Sequence, residues 1–227
     1  MKWDLVIFDL DGTLIDTIED LGTAVNHAMA EKGFPEHSME EYKLMVGHGI
    51  RNLVFRALPA EVRDAEENAA ATPIWDSALA SFRSYYAAHI DVHTRPYAGI
   101  QELIQRLSTA GTAVAVASNK FQEGTEALVK EFFGGIRFSA VLGNRPDAPL
   151  KPDPAIVRTA IEGMGQTGDS AIRAIMVGDS ATDIKTGRNS GIPSVGVTWG
   201  FRGRAELEGA GADYVVDTVS ELESILL

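Results

Sequence analysis

Cysteine is absent from the 227-residue chain, and that omission removes disulfides, thiolate nucleophiles and zinc–thiolate sites together. Positive charge is the second shortage: 20 Lys and Arg stand against 32 Asp and Glu, a formal net charge of −12. Such an acidic chain argues against a nucleic-acid or anionic-membrane partner, and an anionic substrate would need local help from a metal, a lysine or backbone amides. Long apolar runs are missing too. No uncharged stretch approaches the roughly 18 residues of a membrane span. Met1-Lys2-Trp3-Asp4 leads straight into an apolar strand, without the apolar core and cleavage site of a signal peptide. The expectation is a cytoplasmic protein. There is no internal repeat, and Ala69-Ala70-Ala71, the nearest approach to low complexity, signals only helix propensity.

What is present is an ordinary globular composition, 45% hydrophobic and 23% charged, in a chain long enough for one large domain or two smaller ones. Its organising stretch is Phe8-Asp9-Leu10-Asp11-Gly12-Thr13-Leu14. The preceding run Leu5-Val6-Ile7-Phe8 does not alternate, as in a strand covered on both faces, and Gly12 marks where the chain leaves the sheet. Two carboxylates therefore stand at a buried strand end, where open α/β sheets bind ligands. Close, buried carboxylates need a cation or a shared proton, and a hard divalent metal would supply the cation. A turn or helix cap is the alternative use of Asp-Gly-Thr.

Residues 16 to about 90 read as helical. Asp16 or Thr17 can cap a helix ending at Gly33, Ser38 and Glu41 have capping-box spacing for a helix to Val46, and Ile50 to Leu58 resumes the period after Gly47-His48-Gly49. Residues 60 to 72 suit a helix or a polar connector. From Pro73 to about His89, Trp75, Leu79, Phe82 and Tyr86 form one apolar stripe, which core packing explains.

After Pro96 strands and helices alternate. The pattern predicts helices at Ala98 to Ala110, Gln122 to Phe132, Pro154 to Gly163, Thr182 to Ser190 and from Ser220, with strands at Ala113 to Ala117, Ala140 to Leu142, Ala174 to Val177, Ser194 to Val197 and Tyr214 to Val216. That is an α/β fold with a Rossmann-like, doubly wound parallel sheet. The first strand must join this sheet, so the expected core is discontinuous, residues 1–15 and 95–227, with an all-helical domain, residues 16–94, inserted over the two carboxylates.

Three more strand ends carry polar residues. Ser118-Asn119-Lys120 offers a hydroxyl and an amide to an anion, or else a helix cap. Lys151-Pro152-Asp153-Pro154 holds a lysine before a rigid step, with Asp153 at a cap and Pro154 at the first helical position, although most lysines are merely solvated. Gly178-Asp179-Ser180-Ala181-Thr182-Asp183 spaces two acids to face one side, where they repel unless something binds between them. Together Asp9, Asp11, Ser118, Lys151, Asp179 and Asp183 make a set suited to a metal and a phosphate.

These four stretches, in this order, resemble the four motifs of the haloacid dehalogenase superfamily of hydrolases. The insert between the first two motifs is similar to the cap of its phosphoglycolate phosphatase-like branch. The resemblance implies a Mg²⁺-dependent phosphatase acting on a small phosphorylated metabolite such as 2-phosphoglycolate, as a monomer or homodimer. By the same resemblance Asp9 is the nucleophile that forms an aspartyl-phosphate, and Asp11 is the general acid and base. Mg²⁺ is held by Asp9, Asp179, the Asp11 carbonyl and, through water, Asp183. Ser118 and Lys151 hold the phosphoryl oxygens. Thr13 and Asn119 are carried over as substrate-binding, and Gly47-His48-Gly49-Ile50-Arg51 as the loop that reads the leaving group through His48, Gly49 and Arg51, although a solvated helix start is equally compatible with it.

A phosphosugar mutase of the beta-phosphoglucomutase kind, or a pyrophosphatase, of the same branch is the enzymatic alternative. A silent phosphate-binding module is the non-enzymatic one, against which the intact Asp9 and Asp11 count. Two patterns are set aside. Gly163-Met164-Gly165-Gln166-Thr167-Gly168 follows a helix rather than a strand, so it reads as a helix stop and not a dinucleotide loop, and His89 and His93 lack the carboxylate that would accompany a metal site.

Overall fold

The computed structural model describes residues 2–67, 69, 71–165 and 172–227. The chain opens on β1 (Leu5–Phe8), every side chain of which is fully buried, and continues through β2 (Ile15–Asp16) into helices α1 (Ile18–Glu31), α2 (Met39–Met45), α3 (Ile50–Ala57), α4 (Ala60–Glu66) and α5 (Pro73–Ala88). It returns through β3 (Arg95–Pro96), antiparallel to β2. Alternation follows: α6 (Ile100–Thr109), β4 (Ala113–Phe121), α7 (Gln122–Phe133), β5 (Ala140–Asn144), α8 (Ala155–Glu162), β6 (Ala174–Gly178), α9 (Ala181–Asn189), β7 (Ser194–Val197), α10 (Arg204–Gly209), β8 (Tyr214–Val216) and α11 (Val219–Leu226). Two compact units result, Met1–Asp16 with Arg95–Leu227, and Thr17–Thr94.

In the first unit six strands form a parallel sheet in the order β5-β4-β1-β6-β7-β8. Parallel pairing with helical crossovers buries both sheet faces, which is why β1 shows no alternation of polarity. Leu5 and Ile7 of β1, Ala115 and Ala117 of β4, and Ala174 and Met176 of β6 share one core cluster with Val157 and Ala160 of α8. From β1 the chain builds outward to β4 and β5, and from β6 it builds the other way to β7 and β8. The sheet thus changes direction between β1 and β6, which opens a crevice at their carboxyl ends.

Several local expectations are revised. β4 runs on to Phe121, so Ser118, Asn119 and Lys120 are strand residues and not the cap of α7, whose cap position is Phe121. Thr17 stands at the cap of α1 without a side-chain bond to it. Pro154 occupies the cap position of α8, one residue before the helix, while the Asp153 carboxylate accepts from the Ala155 amide at 2.8 Å. The short β2–β3 pair and α10 had no counterpart in the sequence reading, because two- and six-residue elements carry too little periodicity. Ala70, and Gln166 to Gly168 of the glycine-spaced stretch, lie outside the described residues.

The second unit is helical, with α1 packed on α5. Leu79, Phe82 and Tyr86 of the expected stripe are buried, whereas Trp75 is half-buried. The capping box of Ser38 and Glu41 forms at α2. α5 is capped from a distance: both carboxylate oxygens of buried Glu66 accept, at 2.9 Å and 2.8 Å, from the Ile74 and Trp75 amides, where an acid also complements the helix dipole.

The two ends of this unit are tied together by Asp20. Its buried carboxylate accepts from the His93 amide at 3.0 Å, the Thr94 amide at 2.9 Å and the Thr94 hydroxyl at 2.8 Å. Asp20→Ala withdraws the acceptor from three donors, so a loss of about 2–4 kcal/mol is expected. Denaturant unfolding checks it, and a change below about 1 kcal/mol would show that the tie contributes little.

Candidate active site

Asp9 directly follows β1 and stays in register with the sheet, its amide donating to the Val177 carbonyl at 2.9 Å. Asp179 follows β6, the neighbouring strand. Asp183 lies in the first turn of α9 and Lys151 ahead of α8. All four side chains are buried. Lys151 Nζ lies 2.8 Å from Asp9 Oδ1 and 2.7 Å from Asp183 Oδ1. Asp183 Oδ2 accepts from the amide and hydroxyl of Ser180, at 3.1 Å and 2.6 Å, closing a capping box at the start of α9. Asp179 Oδ2 accepts from the Phe201 amide at 2.7 Å.

Oxygens of Asp9, Asp179 and Asp183 lie within 4.8 Å of one another. Three buried carboxylates thus face one buried ammonium in their midst, and the electrostatics reflect the imbalance. Burial, then the neighbouring Asp183, pushes the Asp9 carboxyl up to about 7, against the pull of Lys151. Burial, followed by Asp183 and Asp9, likewise holds Asp179 well above the usual carboxylate range. Burial opposes the charge of Lys151, yet Asp183 and Asp9 outweigh it and keep the ammonium above the ordinary lysine range. An all-oxygen donor set with surplus negative charge fits a hard divalent cation. Among the described residues this is the one such group. His89 instead engages the Tyr85 carbonyl at 2.8 Å and stacks on the Tyr85 ring, while His93 pairs with Glu19 at 3.4 Å.

The remaining expected residues have diverse placements. Ser118 is buried, and its hydroxyl oxygen accepts from the Lys120 amide at 3.2 Å. Asn119 is buried as well. Its side-chain oxygen accepts from the Lys151 amide at 2.8 Å and its NH₂ donates to the Lys151 carbonyl at 3.2 Å, so it clamps the backbone that carries the lysine. Thr13 is fully buried, with its carbonyl accepting from Trp199 Nε1 at 3.1 Å. Gly47, His48, Gly49 and Arg51 belong to the second unit, where the Arg51 guanidinium pairs with Asp76 at 3.0 Å and lies 4.0 Å over the Trp75 ring.

Two features were not anticipated. Lys120 is buried, and its Nζ lies 3.2 Å and 3.4 Å from the two carboxylate oxygens of Asp11. The only sequence sign was its place two residues after Ser118. The second is the loop after β7. Besides the bonds from Trp199 and Phe201, Gly200 fits so closely that a Cβ there would overlap the Gly12 carbonyl and the Asp179 side chain. Gly12 itself has φ +84°, a conformation that favours glycine, and lies against Asp179 in turn. Gly200→Ala is expected to cost about 1–3 kcal/mol through overpacking. Because it displaces the amide that holds Asp179, it should also weaken divalent-cation binding in a calorimetric titration. Unchanged melting and unchanged affinity would refute that close fit.

Residues 6–197 match the haloacid dehalogenase-like hydrolase family. The chain belongs to that family. By sequence it is 37% identical, over 206 residues that make up 90% of this chain and 86% of the relative, to a phosphoglycolate phosphatase of Mesorhizobium japonicum. It is 35% identical to that of Agrobacterium fabrum, across 98% of this chain and 91% of the other. Among solved structures, CbbY from Rhodobacter sphaeroides in complex with phosphate superposes with a TM-score of 0.70 at 27% identity, covering 97% of this chain and 96% of that one. No helix among the described residues is long and apolar enough to cross a membrane.

Proposed function

We propose that this chain is a Mg²⁺-dependent phosphatase that hydrolyses a small phosphomonoester, 2-phosphoglycolate foremost, through an aspartyl-phosphate on Asp9. The observation that carries the reading is the buried cluster itself, a strand-end carboxylate paired with a buried lysine beside two further acids. The names of the relatives that span almost the whole chain support the substrate.

In this reading Asp9 attacks phosphorus in line, and splitting the displacement through a covalent intermediate replaces one hard step with two easier ones. Asp11 gives a proton to the departing alcohol and then takes one from the water that hydrolyses the intermediate. The Ser118 hydroxyl and the Lys151 ammonium hold phosphoryl oxygens, Lys151 offsetting charge as it develops. Asp9, Asp179 and the Asp11 carbonyl would hold Mg²⁺ directly. Asp183 would do so through water, which suits a carboxylate whose oxygens already serve Lys151 and Ser180. Bound there, the cation neutralises the carboxylates around the nucleophile and polarises the phosphoryl group. The Gly47–Arg51 turn supplies leaving-group selectivity through His48, Gly49 and Arg51.

The test is phosphate release from a panel of small phosphomonoesters and pyrophosphate, with and without Mg²⁺. Metal-dependent release led by 2-phosphoglycolate is expected. Isomer formation without net phosphate release would replace the reading with a mutase, and preference for pyrophosphate would replace the substrate. Arg51→Ala should narrow the preference for carboxylated over neutral esters, and unchanged selectivity would remove Arg51 from the site.

A further inference from the structure

We infer that Lys120 is a positioning residue that aims the Asp11 carboxyl at the leaving-group oxygen. The inference rests on the reading of Asp11 as general acid. Asp11 stands on the loop that turns at Gly12, outside the regular strand, so its backbone alone leaves the side chain several rotamers. Lys120 reaches it from β4. Lys120 lies near the end of that strand, in the stretch between Ala117 and Phe121 where pairing with β5 shifts register, a local irregularity of the kind that re-aims a side chain.

The ammonium straddles the carboxylate, 3.2 Å from one oxygen and 3.4 Å from the other, which restrains both torsions of the aspartate. The Lys120 side chain is 1% exposed, against 19% for Asp11. A lysine so withdrawn from water is costly unless paired, and a solvating role does not explain its place. The two buried ammoniums divide the acids between them: Lys151 serves Asp9 and Asp183, and Lys120 serves Asp11.

The step that depends on this aim is the first displacement. An Asp9 oxygen forms its bond to phosphorus as the bond to the alcohol oxygen breaks, and the Asp11 proton moves to that oxygen, which leaves as the neutral alcohol with Asp11 as carboxylate. An alkoxide cannot leave unaided, but p-nitrophenolate can. Loss of aim therefore penalises alkyl esters selectively. A displacement near 1 Å at such a transfer costs roughly 100-fold.

The experiment compares kcat/KM, which covers the steps up to departure of the alcohol, for 2-phosphoglycolate and p-nitrophenyl phosphate in wild type, Lys120→Met, Lys120→Gln and Asp11→Asn. The ratio between substrates is internal to each preparation, so a partly folded variant still reports. The expected result is that each Lys120 variant loses at least about tenfold more on the alkyl ester than on the aryl ester. Asp11→Asn should show the same bias, and combining it with Lys120→Met should add little. Equal losses on both substrates, or none, in the Lys120 variants would overturn the inference while leaving Asp11 intact. An Asp11→Asn enzyme without the bias would instead overturn the reading of Asp11 as the acid.

Discussion

On the proposed mechanism Asp9→Asn will abolish phosphate release, by at least about a thousandfold in kcat, because an amide cannot form the proposed covalent intermediate and nothing else in the cluster occupies its position. The same substitution will stabilise the metal-free protein at alkaline pH. Asp9 titrates at about 7 in the fold against an ordinary value of 3.8. Between those limits the folded state binds a proton that the unfolded state has released, so stability falls as pH rises through the window and levels off above about 7. The penalty at the alkaline end is on the order of a few kcal/mol, and Asn removes it. In chelator, the melting temperature of Asp9→Asn should exceed wild type at about pH 8 and approach it near pH 4. A variant melting below wild type at pH 8 would contradict the account of strained, surplus negative charge. In the proposed site Mg²⁺ would compete with that proton, so it should raise the wild-type melting temperature more at pH 8 than at pH 5, and should raise that of Asp9→Asn much less.

Lys151→Met is the largest expected loss of stability. The methylene stem is replaced closely, but Asp9 and Asp183 lose the ammonium 2.8 Å and 2.7 Å away while remaining buried. Breaking a buried pair by removing one partner costs about 3–5 kcal/mol, which for a chain of this size corresponds to a fall of roughly 10 °C in melting temperature. The loss should shrink at acidic pH, where Asp9 and Asp179 take up protons, and should be partly recovered by Mg²⁺ at neutral pH. A fall of less than about 3 °C at pH 8 would mean that the cluster is held by packing and not by its charges. Asn119→Ala makes a useful companion, since it frees the Lys151 backbone while sparing the ammonium.

The fold was largely legible because its signals are local. A buried parallel strand shows as an unbroken apolar run, a helix as a 3.6-residue period, and the alternation of the two after Pro96 dictates a doubly wound sheet. Polar or charged residues expected after four of those strands marked the crevice, since strand ends of such a sheet are where ligands bind. Errors fell where local chemistry is ambiguous. Ser118-Asn119 suits a cap or a strand end equally well, and only pairing with β5 as far as Phe121 decides for the strand.

What the sequence alone determined is therefore the class of fold and the placing of Asp9, Asp11, Ser118, Lys151, Asp179 and Asp183 in the segments that close or follow core strands. Only the tertiary structure decided which of them meet. The order β4-β1-β6 brings Lys151 between Asp9 and Asp183, turns Asn119 onto the Lys151 backbone and sets Lys120 against Asp11, 109 positions away in the chain. It also brings the Trp199–Phe201 loop onto Thr13 and Asp179. Periodicity is written in neighbouring residues. Contact between distant ones is set by strand order and by how far each strand runs before it turns, and no short window of sequence contains that.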